Sequence, residues 1–470
     1  MTDGPSLPLV GREDVLEHAA TLILEAWKSF DRARPNQPPP AAHHLEMLNT
    51  PLPAEGCEPV VALDAAADVL DVSLAQSRPR FFAYIGSSGL EIGVLGDALM
   101  ASHDVNVATS AGAADMLEAQ TIRWVGAFTG FDPEAQGLTA AGGTVSNLTA
   151  LTAARERALP GTRRTGVGGR RMALYCSAEA HYSVRRAAEV LGVGADNVRA
   201  IPIDEQRRIR VDECARAIAA DRRAGVVPVA VVATSGTTLT GAVDDIDGLA
   251  DVCAEHEVWL HVDGAYGLPA AATERAGKLF EGLDRADSAT VDAHKWLYVP
   301  KSCSVLLVHD AAALERAFSH REGYMLHGDE QLNPVDRTLE YSRPLSALKL
   351  WLAFRVHGAR AIRAAIERNL EQAALLASLL RDDERFELLG EPQLSVVCFR
   401  RRHGGDIDAH HAALASALAA DGRIAIAPAE VDSGTWLRAC FVNHRTTEED
   451  VRAVPDVVGE ISDALLSATA

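Results

Sequence analysis

The 470-residue chain contains no Cys-x-x-Cys pair, and its seven cysteines (57, 176, 214, 253, 303, 398 and 440) are scattered and odd in number. Disulfide frameworks and cysteine zinc sites need short, regular spacings, so free thiols in a reducing compartment are expected instead. Long apolar runs are also missing. No window reaches the roughly 18 residues of a membrane span, and the opening "MTDGPSLPLVGRED" has no charged region leading into an apolar core. A cytoplasmic protein with no membrane partner is predicted. Positive charge is the third scarcity: 45 Lys and Arg stand against 65 Asp and Glu, a formal net charge of −20. Nucleic acids and anionic membranes are recognised through local positive potential, so neither is an expected partner. A small-molecule enzyme fits the balance better.

What is present is an ordinary apolar share, 48%, sufficient for a sizeable core. Residues 12 to 30 have the periodicity of an amphipathic helix, which the proline-rich "ARPNQPPPAAHH" cannot continue. From about residue 76 to 355, short β-branched runs alternate with helical patterns: "MALYCS", "VRAIPI", "VPVAVVAT", "VWLHVD", "SATVDAH" and "CSVLLVH". This pattern predicts an α/β layer whose mainly parallel sheet is covered on both faces. A long helical stretch follows, then the strand candidates "LSVVCFR" and "TWLRACFV", and a closing helix whose capping box would pair Thr446 with Glu449. The division predicted is an arm over 1–75, a large domain over 76–355 and a small α+β domain over 356–470.

Four local signals bear on chemistry. In "TAAGGTVSNLTAL", Gly142, Gly143 and Thr144 open a helix whose unpaired N–H groups can hold a phosphate, although a glycine turn also serves close packing. In "VWLHVDGAYG", Asp263 ends an apolar strand, and Ala265 is small enough for a flat ring to lie against it. An N-cap or a structural ion pair is the alternative for that carboxylate. In "VDAHKWLYVPKSC", Lys295 follows a strand end, where an amine withdrawn from water becomes able to attack a carbonyl; a snorkelling lysine is the alternative. His181, in "YCSAEAHYSV", begins a helix and can stack on a ring, act as acid or base, or merely cap. One molecule asks for phosphate cradle, carboxylate and amine together: pyridoxal phosphate, with its phosphate, its ring nitrogen and its aldehyde.

With "HVDGAYG" and "ADSATVDAHKW" in place, the chain resembles the group II pyridoxal phosphate-dependent amino-acid decarboxylases, from "RPRFFAYIGSSG" to "NHRTTEEDV". The resemblance implies a fold type I, aspartate aminotransferase-like architecture and a homodimer with active sites at the interface, the N-terminal arm wrapping its partner. It implies Lys295 as the Schiff-base lysine, Asp263 as partner of the pyridine nitrogen, Ala265 beneath the ring and His181 stacked on it. Gly143, Thr144 and Val145 match the phosphate turn, with Ser288 and His294 as further phosphate contacts and Thr234 near the cofactor. Tyr324, in "HREGYMLHGDEQLNP", falls where the family carries a catalytic tyrosine on a mobile loop; its presence favours amine over aldehyde as product.

Two departures stand out. Asp292 occupies a position where several members have asparagine next to the phosphate, and is not counted as a phosphate ligand. Asn106 stands where phenylalanine is frequent in aromatic-specific members. Tyr84, Ile85 and Ser87, in "FFAYIGSSG", match the side-chain pocket and favour an aromatic or apolar amino acid over glutamate. An aminotransferase or aldehyde synthase on the same fold remains open, as does a cofactor-binding protein without turnover. Arg438 is a candidate for a substrate carboxylate or for an ordinary salt bridge. The pairs His43–His44 and His410–His411 lack ligands at a familiar spacing, and no metal is expected.

Overall fold

Residues 9, 11–31, 40–109, 111–320, 333–402, 404–432 and 434–469 are described by the structure, a computed structural model. The apolar runs form strands because both of their faces are covered. In β2 (Met172–Ser177) Met172, Leu174 and Cys176 enter one apolar cluster while Ala173 and Tyr175 enter the other. β4 (Val227–Thr234) alternates in the same way, Val231 and Ala233 to one side and Val232 to the other. Such alternation inside a continuous apolar run is the signature of a strand buried on both faces.

Seven strands make the main sheet: β1 (Gln136–Ala140), β2, β3 (Val198–Ile201), β4, β5 (Trp259–Asp263), β6 (Ser288–Val291) and β7 (Ser304–Val308), in the spatial order β1-β7-β6-β5-β4-β2-β3. The pairs β3-β2, β2-β4, β4-β5 and β5-β6 are parallel; β7 runs antiparallel to both β6 and β1. β1 carries the unpromising sequence "QGLTA" and escapes a reading by composition. It is held instead by its ladder to β7 and by Glu118 below it, which accepts from Thr139 and is paired with the buried guanidinium of Arg343.

A second, four-stranded antiparallel sheet has the order β10-β11-β9-β8, built from β8 (Phe386–Leu388), β9 (Val396–Arg401), β10 (Ala427–Val431) and β11 (Gly434–Cys440). The helices Ala347–Arg381, Ile407–Asp421 and Glu448–Thr469 pack against it through Leu376, Leu414, Leu418, Val451 and Val458. The expected border between the large and small domains lies next to a backbone break. Residue 356 falls inside the segment Ala347–Arg381, which is broken at Gly358 with φ +76°. Phe82, assigned to the large domain, lies in the small domain's core, and its backbone bonds Ala425 and Cys440. The capping box of the last helix is formed one residue later than expected: Thr447 N–H donates to Asp450 and Asp450 N–H to the Thr447 hydroxyl, while Thr446 donates to Pro79 O.

The N-terminal helices Arg12–Phe30 and Pro59–Asp71 lean on each other, joined by His18 and Asp64 at 2.6 Å, and neither has a buried residue. Among the described residues no helix is long and apolar enough to cross a membrane.

Candidate active site

Parallel strands end together, so whatever follows them is gathered at one edge. Thr234 and Asp263 are register partners at the ends of β4 and β5, and Asp263 in turn faces Thr290 of β6. Beyond β6 comes the short helix Ala293–Trp296 with Lys295, and beyond β2 the helix Tyr182–Val190 with His181 as its N-cap. These ends surround a cavity of about 380 Å³, also lined by Gly143, Thr144, Val145, Asn147, Thr238, Ala265, Tyr266, Asp292 and His294. Its size is within the range of small-molecule sites.

Asp263 is buried and holds one donor on each oxygen: Ala265 N–H reaches one at 3.2 Å and Asn147 Nδ2 the other at 2.9 Å. Asn147 lies four residues after Gly143 on the helix Gly143–Ala158, so the two share a helix face. Its amide also contacts Ser183 Oγ at 3.0 Å and His261 Nε2 at 3.0 Å. His261 Nδ1 lies 2.8 Å from Ser288 Oγ, which accepts from Trp259 Nε1 at 2.8 Å. Burial pushes His261 down to about 4, against the pull of Asp263, and so keeps it neutral. Burial likewise lowers His181, opposed by Asp263. Asn147, His261 and Ser183 were not singled out in the sequence. The signal available was a lone asparagine on the apolar face of the glycine-led helix.

Lys295 Nζ lies 3.0 Å from Asp292 Oδ2, and Asp292 is 2% exposed. The lysine's orientation is set by its neighbour: Trp296 is fully buried, stacked on Tyr266 at 5.1 Å and bonded to Asn369 at 3.0 Å. His294 Nδ1 donates to Cys303 O at 2.9 Å, and burial lowers this imidazole too.

These residues fit pyridoxal phosphate. Among the described residues the N–H groups of Gly143 and Thr144, which open the helix Gly143–Ala158, border the cavity without an intrahelical acceptor, whereas Val145 N–H, expected at the phosphate, donates to Gly142 O at 2.9 Å. A side chain at Gly143 would close that approach, since a Cβ there would lie 2.9 Å from Asp292 Oδ2 and 3.1 Å from Ala265 Cβ. Among the described residues Thr234 Oγ1 is buried with no partner, which is the state of a group that completes its bonding with a ligand.

Other expected site residues stand elsewhere. Ser288, expected at the phosphate, has its hydroxyl enclosed between Trp259 and His261 behind the cavity, because it opens β6 opposite His261, two residues back from Thr290, which faces Asp263 at the sheet edge. Tyr84 is 52% exposed against Phe81; Ile85 packs on the main core; Ser87 donates to Val299 O at 2.8 Å. Asn106 accepts with its Oδ1 from Ala108 N–H and Arg343 N–H. None of these four lines the cavity of this chain. Tyr324 lies outside the described residues. Among the described residues Arg438 makes no salt bridge and its buried Nε has no partner; it donates to Thr238 O at 2.6 Å and Ala83 O at 2.8 Å.

His43 and His44 do meet a carboxylate, Asp68 from the helix Pro59–Asp71, with ligand atoms within 4.8 Å of one another. His44 Nδ1 accepts from Ala41 N–H, so its proton sits on Nε2, 3.0 Å from Asp68. A protonated nitrogen has no lone pair for a metal.

Residues 43–402 match the pyridoxal-dependent decarboxylase conserved domain. The chain is 33% identical over 416 residues to an aromatic-L-amino-acid decarboxylase of Bacillus atrophaeus, covering 86% of this chain and 85% of that one. It is 30% identical over 409 residues to the acidic amino acid decarboxylase GADL1 of Homo sapiens, covering 84% and 78%. The crystal structure of Oryza sativa TDC with PLP and tryptamine superimposes with a TM-score of 0.91 at 25% identity, over 98% of this chain and 99% of that one. The chain belongs to the pyridoxal phosphate-dependent decarboxylase family. It is a PLP-dependent amino-acid decarboxylase.

Proposed function

We propose that the substrate is an L-amino acid with an uncharged, aromatic or otherwise apolar side chain, converted to its amine and carbon dioxide. The observation that carries this reading is the cavity wall. Lys295 is its sole Lys or Arg among the described residues, and beyond the cofactor anchors it offers Gly236, Thr238 and the ring of Tyr266. An acidic side chain buried there would lack a cation, a costly state for a carboxylate. The similarity to an aromatic-L-amino-acid decarboxylase supports the same choice.

Pyridoxal phosphate, when bound, supplies a ring that accepts the electron pair left behind as the carboxylate departs. The chain's own groups do the rest. The Lys295 amine would hold the cofactor through its aldehyde. Asp263, anionic because both oxygens accept N–H bonds, keeps a proton on the ring nitrogen, a charge-assisted contact worth about 1.5–3 kcal/mol. His181 covers the ring. Tyr324 is assigned as proton donor to the carbon that lost it, on the resemblance alone.

The active unit in this reading is a pair of chains. The arm helices Arg12–Phe30 and Pro59–Asp71 expose Leu16, Leu24, Val61 and Leu70, apolar surface of the kind that a second copy covers. A reducing, cytoplasmic setting goes with this, supported by seven free cysteines.

The test is a panel of L-amino acids given to the cofactor-loaded protein, reading carbon dioxide, amine and aldehyde together. Aromatic substrates turned over to amine support the reading; preference for glutamate, aspartate or cysteine sulfinate contradicts it. Tyr324→Phe is expected to divert product from amine to aldehyde.

A further inference from the structure

The hydrogen bonds behind the cavity can be given directions, because each group's donors and acceptors are limited. Asp263 Oδ1 accepts from Ala265 N–H, and the amide edge 2.9 Å from Oδ2 must therefore be the NH₂ of Asn147. That places Asn147 Oδ1 opposite His261 Nε2, which must carry the proton. The other nitrogen of this neutral ring, Nδ1, is then an acceptor, and the Ser288 hydroxyl donates to it while accepting from Trp259 Nε1–H. In the other direction, the second Nδ2 proton of Asn147 goes to Ser183 Oγ. Ser183 N–H points at His181 Nδ1 from 3.3 Å, so Nδ1 is an acceptor and the Ser183 hydroxyl, 2.9 Å away, donates to it as well. The proton of neutral His181 is left on Nε2. The chain runs one way, from Trp259 through Ser288, His261 and Asn147, and divides at Asn147 into a branch to Asp263 and a branch to His181.

We propose that Asn147 is a positioning residue that sets both groups at once: its NH₂ holds Asp263 as the anion that faces the ring nitrogen and, through Ser183, holds His181 with its proton on Nε2. Neither group is fixed by its own element alone. Asp263 is the last residue of β5, and His181 the N-cap of the helix Tyr182–Val190. The shared amide comes from a third element, the helix whose first turn cradles the phosphate. Seating of the phosphate, charge of the ring partner and tautomer of the covering histidine are thereby tied to one helix. The charged and titratable groups facing this pair are Lys295 and Asp292 across the cleft and His261 behind it.

This rests on the decarboxylase reading, which carbon dioxide release by the parent protein reports separately. Asn147→Asp keeps the shape and sets a second carboxylate against Asp263, and two carboxylates in contact retain one proton between them. In the cofactor-loaded variant the visible absorption is expected to become pH-dependent where the parent's is flat. The turnover number is expected to fall about tenfold or more with KM within about threefold, the pattern of a lost interaction made only in the transition state. Ser183→Ala leaves the Asn147–Asp263 contact intact; it is expected to keep the parent's absorption and to shift the acid limb of kcat/KM. If Asn147→Asp does not fold, Ser183→Ala decides by that limb. An Asn147→Asp protein with the parent's absorption profile and turnover, or a Ser183→Ala protein with the parent's pH profile, would overturn the proposal.

Discussion

The amine of Lys295 stands 3.0 Å from Asp292, and the second oxygen of that carboxylate is buried beside Gly143, at the mouth of the phosphate cradle, with no partner among the described residues. A phosphate arriving there meets a negative charge that the lysine neutralises only while its amine is free. Asp292→Asn removes the charge and keeps the shape. Cofactor retention by this variant, measured by equilibrium dialysis, is expected to equal or exceed the parent's; a tenfold loss, about 1.4 kcal/mol, would show that the carboxylate itself is needed.

Asp263→Asn should separate electronics from binding. The amide is isosteric, so cofactor retention is expected to change little, whereas loss of a charge-assisted bond of about 1.5–3 kcal/mol lowers the rate about tenfold to a hundredfold. Equal losses in retention and rate would contradict an electronic role.

Two buried imidazoles make the fold acid-sensitive. Burial holds His261 down to about 4 and His444, against Arg445 and bonded to Ser88 at 2.8 Å, down to about 3. The unfolded chain takes up these protons near pH 6.5, so the native state has its full stability above that value and loses it as pH falls toward the depressed values. For His261 the loss by pH 4 is about 3 kcal/mol. Thermal unfolding followed from pH 7.5 to 4.5 should show a falling midpoint, and His444→Gln should flatten the fall. A flat profile in the parent would mean that neither imidazole is held neutral.

The parallel strands were legible because their runs are apolar, β-branched and buried on both faces, and the residues that follow them inherit their place at the sheet edge. That is why Asp263, Lys295 and His181 could be read together. β1 was not, since "QGLTA" owes its extended form to β7 and to the Glu118–Arg343 pair, contacts distant in sequence. Ser288 was misplaced because it begins its strand rather than ending it: it shares a face with Asp263 but lies two residues further back, beside His261, a depth that spacing alone did not show. Asn147 and His261 were overlooked for a related reason: a polar residue on an apolar face acquires its meaning only from the partner opposite.

The covalent anchor is the claim on which the rest depends. Reduction of the cofactor-loaded protein with borohydride, followed by peptide mapping, is expected to leave the pyridoxyl group on Lys295 in the peptide containing "VDAHKW". Label on another lysine, or none in protein that demonstrably retains cofactor, would contradict the account.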